Sequence, residues 1–227
     1  MTKIVTIFTP KGGVGKTTIA LHLGWMLSQK GSVAFVDADE RAMLKDTVAR
    51  GPENFPDINC FHFETTGSED GDEAAIREVI EDASHKKDIV IVDCGGYMSM
   101  ASFVAASLSD LVLIPITPDM KDLQQALDSY QKLELVSKRM IDDGVMDQPL
   151  TVRAVINNAN TQTNAFAIVR ASLQGAGIEM MECSIPTYTA IRDASFENTV
   201  VFKSRPTSTA ATFMARFVRE CEGILKG

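Results

Sequence analysis

A glycine-rich segment near the amino terminus holds the residues best suited to chemistry. Residues 9–18 read TPKGGVGKTT, between an apolar, strand-like run at 4–8 and a helix-like run that begins near Thr17. Glycines let successive backbone N–H groups point inward, and the N-terminus of the following helix adds its positive dipole end at the same place. The segment therefore predicts a cradle for phosphate, in which Lys16 reaches the β- and γ-phosphates and the Thr17 hydroxyl binds Mg²⁺.

One residue of this loop departs from the generic P-loop pattern. That pattern needs glycine five residues before the glycine of Gly-Lys-Thr, and this chain has Pro10 there. A second lysine, Lys11, follows, so that residues 11–18 read KGGVGKTT. This sequence resembles the deviant Walker A box of the ParA/MinD family of ATPases, and three ordered motifs extend the resemblance over the whole chain.

The resemblance implies ATP and Mg²⁺ as ligands and a homodimer in the ATP-bound state. In that family the additional lysine, here Lys11, crosses the dimer interface to the nucleotide of the partner subunit. Lys11 and Lys16 are accordingly predicted to be catalytic. The nucleotide contacts predicted in the loop are Lys11, Gly12, Gly13, Val14, Gly15, Lys16, Thr17 and Thr18.

Two later apolar runs end in carboxylates. The segments VAFVDADE at 33–40 and DIVIVDCGG at 88–96 are typical of buried parallel strands, and ligands of open α/β sheets collect beyond the carboxyl ends of strands. Asp37, Asp39 and Asp93 are therefore predicted to face the phosphates. The resemblance makes Asp39 the catalytic switch I residue beside the attacking water, and Asp93 the end of a Walker B strand that holds a Mg²⁺-bound water. Asp37 is predicted to support Mg²⁺ or the loop indirectly.

Apolar periodicity predicts further strands and helices between these motifs. Short apolar runs predict strands at 58–63, 111–115 and 152–158, and helical spacing predicts helices at 16–29, 72–84, 119–141 and 208–225. This alternation predicts an α/β fold with a doubly wound, mainly parallel sheet and helices on both faces, over residues 1–227 as a single P-loop ATPase domain. Asn157 resembles by position the residue that contacts the adenine ring, although asparagine after a strand is also a common turn former.

Composition favours a globular protein of the cytoplasm. Charged residues make up 23% and hydrophobic residues 45%, and the net charge of −8 argues against a protein coated in basic charge for nucleic acid. No apolar run reaches the roughly 20 residues that span a bilayer, and the first predicted strand leaves no room for a signal peptide. We therefore expect a cytoplasmic location, with nucleoid association if the protein binds DNA.

The four cysteines are scattered and suggest neither a disulfide framework nor a zinc site. The segment Cys94-Gly95-Gly96-Tyr97 resembles the cluster-ligand segment of nitrogenase-type iron proteins. Those proteins need a second cysteine upstream in each subunit, and none lies between Cys60 and Cys94. We therefore expect no iron–sulfur cluster.

The last predicted helix allows two interpretations. MinD-like members of the family end in a basic amphipathic membrane anchor, and Arg216, Arg219 and Lys226 lie in or next to this helix. Glu220 and Glu222 dilute that charge, and the apolar stripe fits packing against the sheet at least as well. We expect a core helix and no stable membrane association.

The short chain resembles the ParF-like members, which lack an N-terminal DNA-binding extension. Such members partition plasmids or position cellular cargo by binding nonspecific DNA as ATP dimers, and a partner protein stimulates their hydrolysis. We therefore expect a switch ATPase whose partners are nonspecific DNA and a small activating adaptor. A MinD-like division-site regulator, a reductase or metal carrier and a conjugative accessory ATPase are the alternatives. The candidate DNA contacts are Arg153, Arg170, Arg192, Lys203, Arg205, Arg216 and Arg219.

Overall fold

A seven-stranded sheet runs through the protein, whose computed structural model describes residues 1–227. In chain order its strands are β1 (Lys3–Ile7), β2 (Val33–Ala38), β3 (Asn59–His62), β4 (Ile89–Cys94), β5 (Leu111–Ile116), β6 (Val152–Ala159) and β7 (Ile185–Pro186). Across the sheet they lie in the order β3-β2-β4-β1-β5-β6-β7, and every pairing is parallel. The sheet is therefore entirely parallel, where the sequence predicts a mainly parallel one.

Helices cover both faces of this sheet. They are α1 (Lys16–Ser28), α2 (Met43–Arg50), α3 (Glu69–Ser84), α4 (Met100–Ser107), α5 (Met120–Asp142), α6 (Asn164–Gly175), α7 (Thr189–Phe196), α8 (Val201–Ser204) and α9 (Thr209–Lys226). One apolar cluster joins the sheet to α3, α4, α5 and α6, and a second joins its other face to α1, α2, α8 and α9. Because both faces are covered, a central strand such as β5 is buried at every residue. The predicted doubly wound α/β fold is confirmed.

Strand order brings the glycine-rich loop to the middle of the carboxyl edge of the sheet. The loop follows β1, which pairs with β4 on one side and β5 on the other. β2 pairs with the far side of β4, and their register sets Asp37 beside Asp93. The predicted phosphate cradle and the carboxylates at the ends of β2 and β4 therefore meet at one edge of the sheet, where ligands of open α/β sheets bind.

Five helices, α2, α4, α6, α7 and α8, lie where the sequence analysis identified none. α4 is buried on most of its sides and therefore shows no apolar stripe. α2 is only eight residues long and buries a single residue, Leu44, so its amphipathic pattern is short. α3 begins at Glu69, earlier than the predicted start at residue 72. The reason is an N-cap: the Ser68 hydroxyl accepts a hydrogen bond from the Gly71 N–H, and acidic residues follow in the first turn.

The last helix, α9, packs into the core. Met214, Phe217, Val218 and Cys221 are buried in the same cluster as the apolar side of α1. The prediction of a core helix is therefore confirmed. None of the helices combines the length with the hydropathy that crossing a membrane requires.

Candidate functional site

The loop between β1 and α1 offers backbone N–H groups to an anion. Gly13 and Gly15 have φ angles of 82° and 94°, in the left-handed region that residues with a Cβ adopt only with strain. Gly15 is the N-cap of α1; no side chain caps this helix, and no acidic residue occupies its first turn. The first amides of α1 are therefore free to bind phosphate, and the helix dipole favours negative charge there.

A cavity of about 510 Å³ opens over this loop. It brings together seven of the predicted site residues, namely Gly12, Gly13, Gly15, Lys16, Thr17, Thr18 and Asp39. Four further residues face the same cavity without having been identified from the sequence; the one signal for them is their place directly after the predicted acidic strand ends. They are Glu40, Arg41, Met43 and Tyr97.

Lys16 lies at the bottom of this phosphate cavity. The residue is 7% exposed, and its ammonium donates a hydrogen bond of 2.8 Å to the carbonyl of Lys11. Burial lowers the pKa of Lys16, while the carboxylates of Asp93 and Asp39 act in the opposite direction. A buried ammonium beside free backbone amides suits phosphate binding, and the catalytic role of Lys16 stays a prediction.

Thr17 and Asp93 form the candidate metal site. The Thr17 hydroxyl donates to Asp93 Oδ2 over 2.6 Å, and the buried Oδ1 of the same carboxylate has no hydrogen-bond partner. Burial raises the pKa of Asp93 to about 7, against the effect of the Thr17 hydrogen bond. An unpaired buried carboxylate oxygen is costly, and a carboxylate next to a hydroxyl offers the hard oxygen ligands that Mg²⁺ prefers. The residues present therefore fit the predicted metal.

Asp37 and Asp39 have different surroundings although they follow the same strand. Asp37 is fully buried and accepts hydrogen bonds from the N–H groups of Asp39, at 3.1 Å, and Lys45, at 2.9 Å. Burial raises the pKa of Asp37, and these two bonds oppose the shift. Because both of its oxygens are engaged, Asp37 supports the loop and the start of α2, and direct metal ligation would break one of these bonds. Asp39 faces the phosphate cavity, where its Oδ1 accepts the N–H of Arg41 over 3.0 Å.

The segments that follow β2 and β4 are joined above the phosphate cavity. The Tyr97 hydroxyl donates to Glu40 Oε1 over 2.9 Å. Burial, together with this hydrogen bond, raises the pKa of Tyr97 to about 12. The backbone at Gly96 runs so close to the phosphate loop that a Cβ there would lie 3.9 Å from the nitrogen of Gly12. Both segments therefore border the cavity over the phosphate loop.

A second cavity, of about 310 Å³, adjoins the first at the loop glycines and at Thr18. The end of β6 and the segment 185–192 supply most of its lining. Asn157 lines this cavity, is 6% exposed and donates a hydrogen bond of 2.6 Å from its amide to the carbonyl of Val14. Asn157 is therefore placed where a base attached to the phosphates would lie, and it also braces the loop; the adenine contact stays a prediction.

Lys11 is the one predicted catalytic residue that does not line the phosphate cavity of its own subunit. Its ammonium lies 3.6 Å from Asp122 Oδ1 near the start of α5. The Lys11 side chain is 38% exposed and the Asp122 side chain 7%. The role of Lys11 at the nucleotide of a partner subunit stays a prediction.

The candidate DNA contacts lie on several elements, and some are engaged within the protein. Arg153 pairs with Glu179. The Lys203 ammonium donates to the carbonyl of Glu53 over 2.8 Å. The other five candidates are Arg170, Arg192, Arg205, Arg216 and Arg219, of which Arg192 lines the second cavity. DNA binding by these residues stays a prediction.

A family model described as the CobQ/CobB/MinD/ParA nucleotide binding domain matches residues 5–201. The chain belongs to this family. The matched region contains the glycine-rich loop, Asp39, Asp93 and Asn157, and it supplies every residue that lines the first cavity and all but Met214 of those that line the second. The ParA/MinD resemblance predicted from the loop is thereby confirmed.

Two relatives align with most of the chain. Maintenance of carboxysome distribution protein A of Halothiobacillus neapolitanus is 25% identical over 198 residues, which cover 85% of this chain and 83% of the relative. Protein ParA of Rhizobium radiobacter is 29% identical over 192 residues, which cover 82% of this chain and 79% of the relative.

Solved structures share the fold of this nucleotide-binding domain. A protein of Borrelia burgdorferi B31 described as a plasmid partition protein, bound to AMPPNP, superposes with a TM-score of 0.75 at 16% identity, covering 100% of this chain and 99% of its own. The cell division ATPase MinD of Pyrococcus furiosus gives a TM-score of 0.71 at 21% identity, with coverages of 99% and 100%. At these identities the similarity supports the fold alone.

Proposed function

We propose that the protein is an ATP-dependent switch ATPase that dimerises with ATP bound, binds nonspecific DNA in that state and is released by hydrolysis. Its task in this proposal is to partition plasmids or chromosomes, or to position other cargo, in the cytoplasm. The observation that carries the nucleotide part is the adjoining pair of cavities, one over the phosphate loop and one beside Asn157. Together they form a cleft that suits a phosphate chain and a base, and residues 1–227 act as one ATPase domain around it.

The residues of the cleft have different roles in phosphoryl transfer. The loop amides and Lys16 hold the phosphates and neutralise the charge that develops as the γ-phosphoryl group leaves. Thr17 and Asp93 hold Mg²⁺, which supplies further neutralisation at the phosphate oxygens when bound. Asp39 orients the attacking water through the oxygen that Arg41 does not engage, and Asp37 holds the loop that carries Asp39.

Lys11 connects this reaction to assembly. It completes the charge around the phosphates of the partner subunit, so that ATP joins two subunits and hydrolysis separates them. The relatives support a task in positioning, since one is a carboxysome distribution protein and another is a ParA protein. A small adaptor protein stimulates hydrolysis and connects the switch to its cargo.

The last helix favours this proposal over a MinD-like regulator bound to membranes. The apolar side of α9 is buried against the core, so the folded protein does not present it to lipid. In sedimentation with liposomes and ATP, we therefore expect the protein to stay in the supernatant.

A filter-binding assay with nonspecific duplex DNA tests the proposed function. We expect retention of DNA with ATP but not with ADP, and weaker retention at higher salt because phosphate contacts release counterions. Lys16→Ala should lose this retention, since it removes the buried cation of the phosphate cavity. Lys30→Ala is the matched control, because Lys30 lies beyond the other end of α1, where its exposed side chain pairs with Glu222. DNA binding that is indifferent to nucleotide and salt, or unaffected by Lys16→Ala, would contradict the proposal.

A further inference from the structure

Asp122 provides the countercharge of Lys11 in the free subunit. Its Oδ1 lies 3.6 Å from the Lys11 ammonium, and its Oδ2 accepts a hydrogen bond from the Thr117 hydroxyl. Only 7% of the Asp122 side chain is exposed. A carboxylate this deeply buried is stabilised by a nearby cation and destabilised by losing it.

Helix capping does not account for this carboxylate. Asp119 is the N-cap of α5, and its Oδ1 accepts the N–H of Lys121 over 2.8 Å. Asp122 lies one turn further on, in the first turn of the helix. Its side chain is directed at Thr117 and at Lys11 of the phosphate loop instead.

The backbone of Lys11 is held within the same subunit as well. Its carbonyl accepts the 2.8 Å hydrogen bond from the ammonium of Lys16. Bound phosphates would compete for that ammonium, because a charged phosphate is a stronger acceptor than a carbonyl. Nucleotide binding would therefore release the contact between Lys16 and the Lys11 carbonyl. The pair with Asp122 would then be the one contact that holds the Lys11 side chain, beside the 3.5 Å hydrogen bond from the Lys11 N–H to Thr9 Oγ1.

We propose that Asp122 is a positioning residue for Lys11. Asp122 holds the Lys11 ammonium against α5 of the same subunit and thereby restrains Lys11 from reaching the nucleotide of a partner subunit. The inference rests on the proposed function, because it takes Lys11 to act across a dimer interface. In this proposal the Lys11 ammonium leaves its 3.6 Å contact with Asp122 when it reaches phosphates in another subunit. The two contacts compete, and this competition sets the concentration at which ATP-loaded subunits dimerise.

The first test measures the contact without any nucleotide. Acetic anhydride modifies lysine side chains, and mass spectrometry gives the rate for each one. Asp122→Asn keeps the shape of the side chain and the acceptor for Thr117 but removes the charge, so we expect Lys11 to react severalfold faster than in the wild type. An unchanged rate would overturn the proposal.

Two controls accompany this measurement. Asp128→Asn makes the same change of charge at an exposed position of α5 and should leave the rate of Lys11 unchanged. Lys45, exposed in α2, should react at one rate in all three proteins, which shows that each protein met the same effective concentration of reagent.

The second test measures dimerisation by sedimentation velocity with Mg²⁺ and AMPPNP. We expect Asp122→Asn to dimerise roughly fivefold more tightly than the wild type, because each of the two Lys11 side chains no longer leaves a partly exposed ion pair. Asp128→Asn should match the wild type. An Asp122→Asn dimer that is as weak as the wild type, or weaker, would overturn the inference alone. A wild type that stays monomeric at every concentration, while Lys11 labelling still responds to Asp122→Asn, would instead contradict the proposed dimerising function.

Discussion

At the scale of single residues, the phosphate loop depends on contacts that its own sequence does not contain. The types and order of its residues could be predicted to form a phosphate cradle because glycines and lysines specify that backbone and charge locally. The hydrogen bond from Asn157 to Val14 could not be predicted, nor could the pair between Lys11 and Asp122. Each of these joins segments that only the strand order brings together.

Gly15→Ala tests the brace that Asn157 provides. A Cβ on Gly15 would lie 2.2 Å from Asn157 Nδ2, and the φ angle of 94° is itself strained for alanine. We expect a loss of about 3 kcal/mol in the free energy of unfolding, from backbone strain and a displaced buried hydrogen bond. Urea denaturation of the variant and the wild type measures this loss.

Gly144→Ala is the matched control for this experiment. Gly144 also has a positive φ, of 71°, but a Cβ there meets nothing within 4 Å. We expect a loss of about 1 kcal/mol in the free energy of unfolding, from backbone strain alone. Equal losses in the two variants would show that Asn157 does not brace the loop.

At the scale of elements, His22 ties α1 to α8. The ring is buried, its Nε2 accepts the N–H of Val201 over 3.0 Å, and its Nδ1 lies 2.7 Å from the carbonyl of Thr18. Because Nε2 accepts, the proton of the neutral ring lies on Nδ1 and is donated to Thr18. Burial lowers the pKa of His22 from 6.5 to about 4. Protonation of Nε2 would place its N–H donor opposite the N–H donor of Val201 and break this hydrogen bond.

We expect this histidine to make stability depend on pH. Between pH 6.5 and about 4 the unfolded chain binds a proton at His22 and the folded chain does not, so stability falls as the pH drops through this range. The full effect is about 3 kcal/mol. Urea denaturation at pH 7 and pH 4.5 should show a smaller difference for His22→Gln than for the wild type. His85→Gln, at an exposed position, should keep the wild-type difference, and equal pH dependence in all three proteins would exclude the role of His22.

The same scale shows which elements a sequence can predict. α5 runs from Met120 to Asp142, close to the predicted 119–141, because one side of a long helix is apolar and its N-cap is an aspartate. α4 has eight residues, of which five are buried, so its sequence shows no alternation of apolar and polar residues at the helical period of 3.6. A short helix that is buried on most sides cannot be predicted from its own sequence, because its burial is set by the surrounding fold.

At the scale of the whole molecule, the nucleotide cleft is a consequence of topology. Strand order brings the ends of β1, β2, β4 and β6 to one edge of the sheet, and the family match covers the carboxyl end of each of these strands. The proposed switch adds a second subunit to this cleft, to which each chain would contribute Lys11, a residue that does not line the phosphate cavity of its own chain and pairs with Asp122. The bound nucleotide would then determine whether the protein is a monomer or a dimer.

Sedimentation velocity of Asp39→Ala with Mg²⁺ and either ATP or ADP tests this switch most directly. Without Asp39 to orient water, ATP should persist, so we expect a dimer with ATP and a monomer with ADP. Adding Lys11→Ala to the same protein should leave a monomer with both nucleotides. A monomer of Asp39→Ala with ATP, or a dimer that survives the loss of Lys11, would contradict a switch closed by a lysine from each subunit.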